Sequence, residues 1–325
     1  MKKGVSFLFT ILFISIISSG LFIYFTNQNH TDFVNLKSPI PDFLNLNKNK
    51  QVTLLDLWLP FIQKTYGSED ETLALTAQSA LTFDLTTNKA LFEKNPHDKL
   101  PMASLTKIMT AIVSLENPRR DDQYVVAGQD LVGEDSMGLS NGEVLKLDEL
   151  LYGLMLPSGN DAAEVLASDS PFGRDGFIKA MNEKAKALGL KDTNFSNPSG
   201  LQGDGVQYTT VYDLLVITRY AMDNFPIFSE IVSQPEYYLP ETPTHKAYDL
   251  VSETNLLTTY DGVKGVKTGY TPEAGLCLVT YLDYGGHKII GVILKSENRR
   301  GEMKELLDYS LKSLGIEPPV FRGGI

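Results

Sequence analysis

Ser104 and Lys107 stand three positions apart, just ahead of the apolar run Ile108, Met109, Thr110, Ala111, Ile112 and Val113. On a helix that spacing puts both side chains on one face, where a hydroxyl and an amine can meet. A serine hydroxyl attacks a carbonyl carbon only if a base takes its proton. A lysine becomes that base when burial or a neighbouring cation lowers its pKa. The pair is expected at the wet start of a core helix, where free backbone N–H groups favour a developing oxyanion. Taken alone, Ser104 reads equally well as a helix cap and Lys107 as a solvated charge.

Two further clusters share this vocabulary. Ser158-Gly159-Asn160 follows a helical pattern over residues 147–156 that Pro157 ends. If the segment is extended, Ser158 and Asn160 point the same way. Ser158 would then be a second hydroxyl for proton relay, and Asn160 an amide that orients a substrate backbone. Capping of a helix over residues 161–167 would also account for either residue. Farther on come Lys267, Thr268 and Gly269 at a strand end. They offer a positive charge, a hydroxyl for a substrate carboxylate, and close backbone approach. An exposed lysine before a glycine turn is the plainer account. Ser104 to Lys107 is the chain's only S-x-x-K, and Lys267 to Gly269 its only K-T-G. The ordered set is far rarer than any one member.

Around these clusters, residues 77–84 and 89–93 read as a hairpin joined at Thr86, Thr87 and Asn88. Residues 123–127 are extended and residues 128–142 a glycine-rich loop. An amphipathic helix over 177–188 ends at Gly189. A helix capped by Thr209 or Thr210 runs to Phe225, and residues 228–239 read as extended and proline-bounded. A strand leads to Gly269, residues 276–282 and 288–294 form a buried hairpin, and 300–314 close the domain as a helix.

Composition narrows the function further. A formal net charge of -11 argues against nucleic acid as a partner. Cys277 is the sole cysteine, so no intrachain disulfide forms. His30, His97, His245 and His287 lack ligand spacing, so no metal is expected. Lys2 and Lys3 precede an uncharged stretch of 22 residues, 4–25. As a helix it would span about 33 Å, close to the thickness of a bilayer's hydrocarbon core. The lysines orient it with the rest of the chain outside. An uncleaved anchor is the reading adopted; a cleaved signal peptide, with the domain secreted, is the alternative.

S-x-x-K, S-x-N and K-T-G in this order are shared by penicillin-binding proteins and class A β-lactamases. Beyond the triple, residues 73–315 resemble the D-alanyl-D-alanine carboxypeptidase family of low-molecular-mass penicillin-binding proteins. The likeness runs from Pro101 to Thr110 and from Leu156 to Ala163. It continues through Asn197, Pro198, Ser199, Gly200 and Leu201, with Thr209, Thr210 and Asp213 after them. It ends in the stretch from Gly265 to Thr271, with Ala274, Gly275 and Cys277.

The resemblance implies an α+β fold, a helical region packed on an antiparallel sheet that carries the K-T-G strand. It implies that Ser104 attacks the carbonyl between two D-alanines and Lys107 takes its proton. Ser158 and Lys267 would pass the proton toward the leaving amine, and Asn160 would hold the substrate backbone. Thr268 would bind the terminal carboxylate, with Gly269 close by and Arg299 assisting; Arg300 is the other candidate. The N–H groups of Ser104 and Tyr270 would form the oxyanion hole. Peptidoglycan stem peptides are the implied substrate and β-lactams the covalent inhibitors, with no cofactor and no metal.

A D,D-endopeptidase cutting cross-links would use the same residues. A β-lactamase is disfavoured because no E-x-x-L-N loop supplies the deacylating glutamate of class A enzymes. A non-catalytic penicillin-binding sensor would have lost a catalytic residue, and none is lost. The expected organisation is an anchor at 1–26, a stalk with a short apolar helix at 27–72, a catalytic domain at 73–317 and a tail at 318–325. Many relatives add a small β-domain and a C-terminal amphipathic helix after the catalytic part. Here the N-terminal segment is expected to replace that anchor.

Overall fold

The computed structural model describes Pro60, residues 73–133 and residues 135–322. The expected span at 4–25 and most of the stalk lie outside the described residues. No described helix is long and apolar enough to cross a membrane. In chain order the elements are β1 (Ser79–Asp84), β2 (Lys89–Lys94), α1 (Thr106–Glu116), β3 (Tyr124–Val125), β4 (Val144–Leu145), α2 (Leu147–Met155), α3 (Asn160–Ser168), α4 (Gly173–Ala187), α5 (Val211–Asn224) and α6 (Pro226–Val232). They continue with β5 (Glu236–Leu239), β6 (Tyr248–Val251), α7 (Leu256–Thr259), β7 (Val263–Thr271), β8 (Gly275–Tyr284), β9 (His287–Ser296) and α8 (Arg299–Ser313).

A five-stranded antiparallel sheet, in the order β2-β1-β9-β8-β7, organises the domain. Strand β1 pairs with β9, setting Ala80 opposite Ile293, so the two ends of the domain close on each other. The core strands are apolar on both faces because both faces are covered. On β9, Ile290, Val292 and Leu294 join the cluster under the helical layer, while Ile289 and Ile293 meet Met303, Leu306, Leu307 and Leu311 of α8. This is the two-residue period of a strand read on two sides. Each such buried side chain contributes about 1.5–3 kcal/mol by leaving water.

Helix α1 is buried from Thr106 to Ser114, all round its circumference. A helix without a polar face belongs inside a layer, and α1 lies among α2, α3, α4 and α5. It fixes the site against the sheet. Phe321 packs on the α8 side of the sheet, and the backbone N–H of Arg322 donates to the Thr259 carbonyl at 2.9 Å, so the chain follows the domain beyond α8.

The structure corrects the extended reading of residues 228–239. Pro226 occupies the first turn of α6, where its fixed φ and missing N–H suit a helix start. Phe228, Ile231 and Val232 then face the core at helical spacing, and only Glu236–Leu239 is strand. Helix α4 begins at Gly173, a turn before the expected Phe177, and its Arg174 forms an ion pair with Glu164 at 2.7 Å.

Candidate active site

The expected nucleophile does not sit within α1. Ser104 lies in a single 3-10 turn, Ala103–Leu105, and the α-helix starts at Thr106. Ala103 holds φ at +49°, a left-handed conformation that sets the sharp entry to the turn. Two glycines let other backbone press on it. A Cβ on Gly269 would lie 3.1 Å from both the Met102 carbonyl oxygen and the Ser104 nitrogen. A Cβ on Gly200 would lie 2.0 Å from the Ala103 carbonyl oxygen.

This cover overturns the expectation of a wet helix start. Ser104 is half-buried, but Lys107 is completely buried. Its Nζ lies 2.9 Å from Ser104 Oγ, 2.7 Å from Asn160 Oδ1 and 2.8 Å from the Ser199 carbonyl oxygen. Burial holds its pKa well below the ordinary lysine range, and the charge of Lys267 adds to the effect. A neutral amine has two N–H donors and one lone pair. The two carbonyl oxygens can only accept, so they engage the N–H groups and leave the lone pair for Ser104 Oγ.

Ser199 is supplied by a loop that Asn197 pins. Asn197 Oδ1 accepts from the Gly200 N–H at 2.7 Å, and Nδ2 donates to the Leu201 carbonyl at 2.8 Å. Asn160 arrives differently from the expected extended pair. Ser158 holds φ at +64°, Gly159 is the N-cap, and Asn160 is the first residue of α3. Neither Ser158 nor Asn160 caps that helix by its side chain. A Cβ on Gly159 would lie 2.8 Å from the Gly153 carbonyl, so the turn admits only glycine without rearrangement. The buried Ser158 hydroxyl has no hydrogen-bond partner among the described residues. A buried hydroxyl left unmatched by the fold is a group that a substrate can complete.

The K-T-G residues lie on β7, the edge strand of the sheet, beside the nucleophile turn. Lys267 is buried rather than exposed, and burial pushes its pKa down to about 8 against the favourable charge of Glu253. Thr268 Oγ1 donates to Glu253 Oε2 at 2.6 Å. Arg299 Nη1 donates to the Gly269 carbonyl at 2.8 Å, which ties α8 to this strand. Arg300 instead lies over the Phe321 ring at 5.3 Å. Of these two contacts, only that of Arg299 is with the K-T-G strand. Tyr270 is exposed at the cleft rim.

Two contributors were given no role by the sequence, although Ser199 lies in a stretch that carries the family likeness. Ser199 acts through its backbone carbonyl, which no side-chain motif reports. Glu253 lies in the connection between β6 and α7, outside each of the three clusters and 15 positions from Thr268. The arrangement suits acyl transfer: a half-open hydroxyl, a buried amine whose pKa burial lowers, a second buried lysine and an edge strand able to pair with an extended peptide.

Comparison with known proteins decides the family. The model of the D-alanyl-D-alanine carboxypeptidase family matches residues 65–298. The D-alanyl-D-alanine carboxypeptidase DacF of Bacillus subtilis is 32% identical over 268 residues, covering 78% of this chain and 67% of that one. The chain belongs to the D-alanyl-D-alanine carboxypeptidase family. It is thus a serine peptidase with the fold of the penicillin-binding proteins. The structure of the Streptomyces K15 DD-transpeptidase superposes with a TM-score of 0.69 at 30% identity, over 74% of this chain and 99% of that one. The ampicillin-bound penicillin-binding protein D2 of Listeria monocytogenes gives 0.65 at 29%, with the same coverage.

Proposed function

We propose that this carboxypeptidase-family enzyme removes the terminal D-alanine of peptidoglycan stem peptides through an ester on Ser104. The contact of Lys107 with Ser104, completed by two carbonyl acceptors, is the observation that supports the reading most directly. As Ser104 Oγ bonds to the scissile carbonyl carbon, its proton goes to Lys107. The carbonyl oxygen becomes an oxyanion facing the Ser104 and Tyr270 N–H groups, a kind of arrangement worth several kcal/mol. Asn160 orients the substrate backbone. Thr268 receives the terminal carboxylate, with Lys267 and Arg299 giving positive charge.

The C–N bond then breaks as the leaving amine takes a proton through Ser158 and Lys267. Water attacks the ester carbonyl and gives a proton to Lys107, which returns it to Ser104 Oγ as the Oγ–carbon bond breaks and the shortened peptide leaves. A β-lactam forms the same ester but keeps its leaving group tethered, so it traps the enzyme. The test is release of D-alanine from a peptide ending in D-Ala-D-Ala by the full chain in detergent. Release blocked by penicillin is expected. Penicillin labelling without release would point to the cross-link endopeptidase.

The same reading places the enzyme outside the cell, held by residues 4–25. The support is the uncharged stretch behind two lysines. Fractionation with and without residues 1–26 tests it. The full chain should sediment with membranes, and the truncated chain should not.

A further inference from the structure

Glu253 stands at the subsite that the proposed reaction assigns to the substrate's terminal carboxylate. Its Oε2 accepts the Thr268 hydroxyl at 2.6 Å and lies 3.7 Å from Lys267 Nζ. A hydroxyl has one proton, so Thr268 can serve one carboxylate at a time. A second anion brought beside Glu253 would also meet like-charge repulsion.

The backbone of Glu253 is fixed, since its N–H donates to the Leu156 carbonyl at 3.2 Å, just past the end of α2. Its side chain is 38% exposed and so can turn away into solvent. Position is therefore enforced while occupancy is exchangeable. That combination suits a competitor better than a permanent strut.

We propose that Glu253 is a specificity-determining residue, an internal carboxylate that a leaving group with a free α-carboxylate must displace from Thr268. The enzyme thereby discounts such leaving groups relative to neutral ones. The proposal rests on the carboxypeptidase reading and on the assignment of Thr268 within it. A permanent strut that only supported Lys267 would affect all substrates alike, so the ratio between two substrates separates the two roles.

The substrates are an acylated D-Ala-D-Ala peptide and its C-terminal amide, which share a scissile bond and differ in that charge. They are compared with the full-length chain in detergent at pH 6, about two pH units below the value at which Lys267 loses its charge, so that removing the Glu253 charge does not itself discharge Lys267. Glu253→Gln should raise the ratio of kcat/KM for the free acid to kcat/KM for the amide about tenfold, chiefly through a lower KM for the acid, over and above any change common to both substrates. Glu253→Ala should shift the ratio in the same direction, and Glu253→Asp, which keeps the charge, should leave it near wild type. Equal changes for acid and amide, or a loss confined to the acid, would overturn the proposal. Absence of turnover by the wild type on either substrate would instead remove the carboxypeptidase reading, and the proposal with it.

Discussion

Lys107 Nζ faces Ser104 Oγ at 2.9 Å while its other two partners are both carbonyl oxygens. Acceptors on two sides determine which face of the amine meets the hydroxyl. Without them a buried lysine would be free to rotate its lone pair elsewhere. The base role proposed for Lys107 therefore depends on Asn160 and Ser199 as much as on Lys107 itself.

Acylation should depend on each member to a different degree. Ser104→Ala should abolish covalent labelling by a fluorescent penicillin. Lys107→Met should slow labelling about 10²–10⁴-fold, the usual contribution of a positioned base. Asn160→Ala removes one of the two carbonyl acceptors and should fall between wild type and Lys107→Met. Stopped-flow labelling measures all three, and near-normal labelling of Lys107→Met would remove it as the base.

The two buried lysines should divide the protonation between them. Lys267 has Glu253 at 3.7 Å, and Lys107 is surrounded by neutral acceptors, so Lys267 keeps the proton and Lys107 gives it up. With its pKa pushed down to about 8, Lys267 loses its charge as pH rises through that value. Acylation by carboxylate-bearing substrates should therefore decline above about pH 8. Lys267→Arg stays charged across the range, and its alkaline limb should move upward whatever its absolute rate. Superposable profiles would assign the limb to another group.

The candidate site was legible in the sequence where its side chains stand at short, fixed spacing. Ser104 with Lys107, and Lys267 with Thr268, are such pairs. The sheet strands were legible too, because β8 and β9 are apolar on both faces and the turn at Gly285 and Gly286 separates them. The burial of Lys107 was not, since its cover comes from residues 53 and 92 positions away. The pairing of β1 with β9 is non-local in the same way. Helix α6 was hidden because a proline marks a helix start as readily as a break. Glu253 had no motif, and only the fold brings it to Thr268.

Burial of Lys107 should also leave a mark on stability. Its pKa is lower folded than unfolded, so between the two values the unfolded chain binds more protons and stability rises with pH. The wild type is therefore less stable at lower pH, relative to a variant without the amine, than it is nearer the unfolded value. Lys107→Met escapes this cost but leaves two carbonyl acceptors unmatched, each a loss of about 1–3 kcal/mol. Only the first effect depends on pH. The Tm of Lys107→Met minus that of wild type should be larger at pH 7 than at pH 9.5. Melts at the two values decide it, and a constant difference would mean that Lys107 stays protonated in the fold.

Gly200 tests how the nucleophile turn is held. Its φ is +91°, and a Cβ there would lie 2.0 Å from the Ala103 carbonyl oxygen and 3.0 Å from the Ser104 nitrogen. Backbone cannot move aside as a flexible side chain can. Gly200→Ala should therefore shift the Ala103–Leu105 turn, lower stability by about 3 kcal/mol or more, and slow penicillin labelling at least tenfold. Gly203 is the control, with φ at +117° and nothing within 4 Å of an added Cβ. Gly203→Ala meets backbone strain alone, about 1–3 kcal/mol, and should label at nearly the wild-type rate. Thermal melts and labelling rates for the two variants separate strain in a loop from pressure on Ser104. Equal labelling by both would mean that the loop beneath the turn does not position the nucleophile.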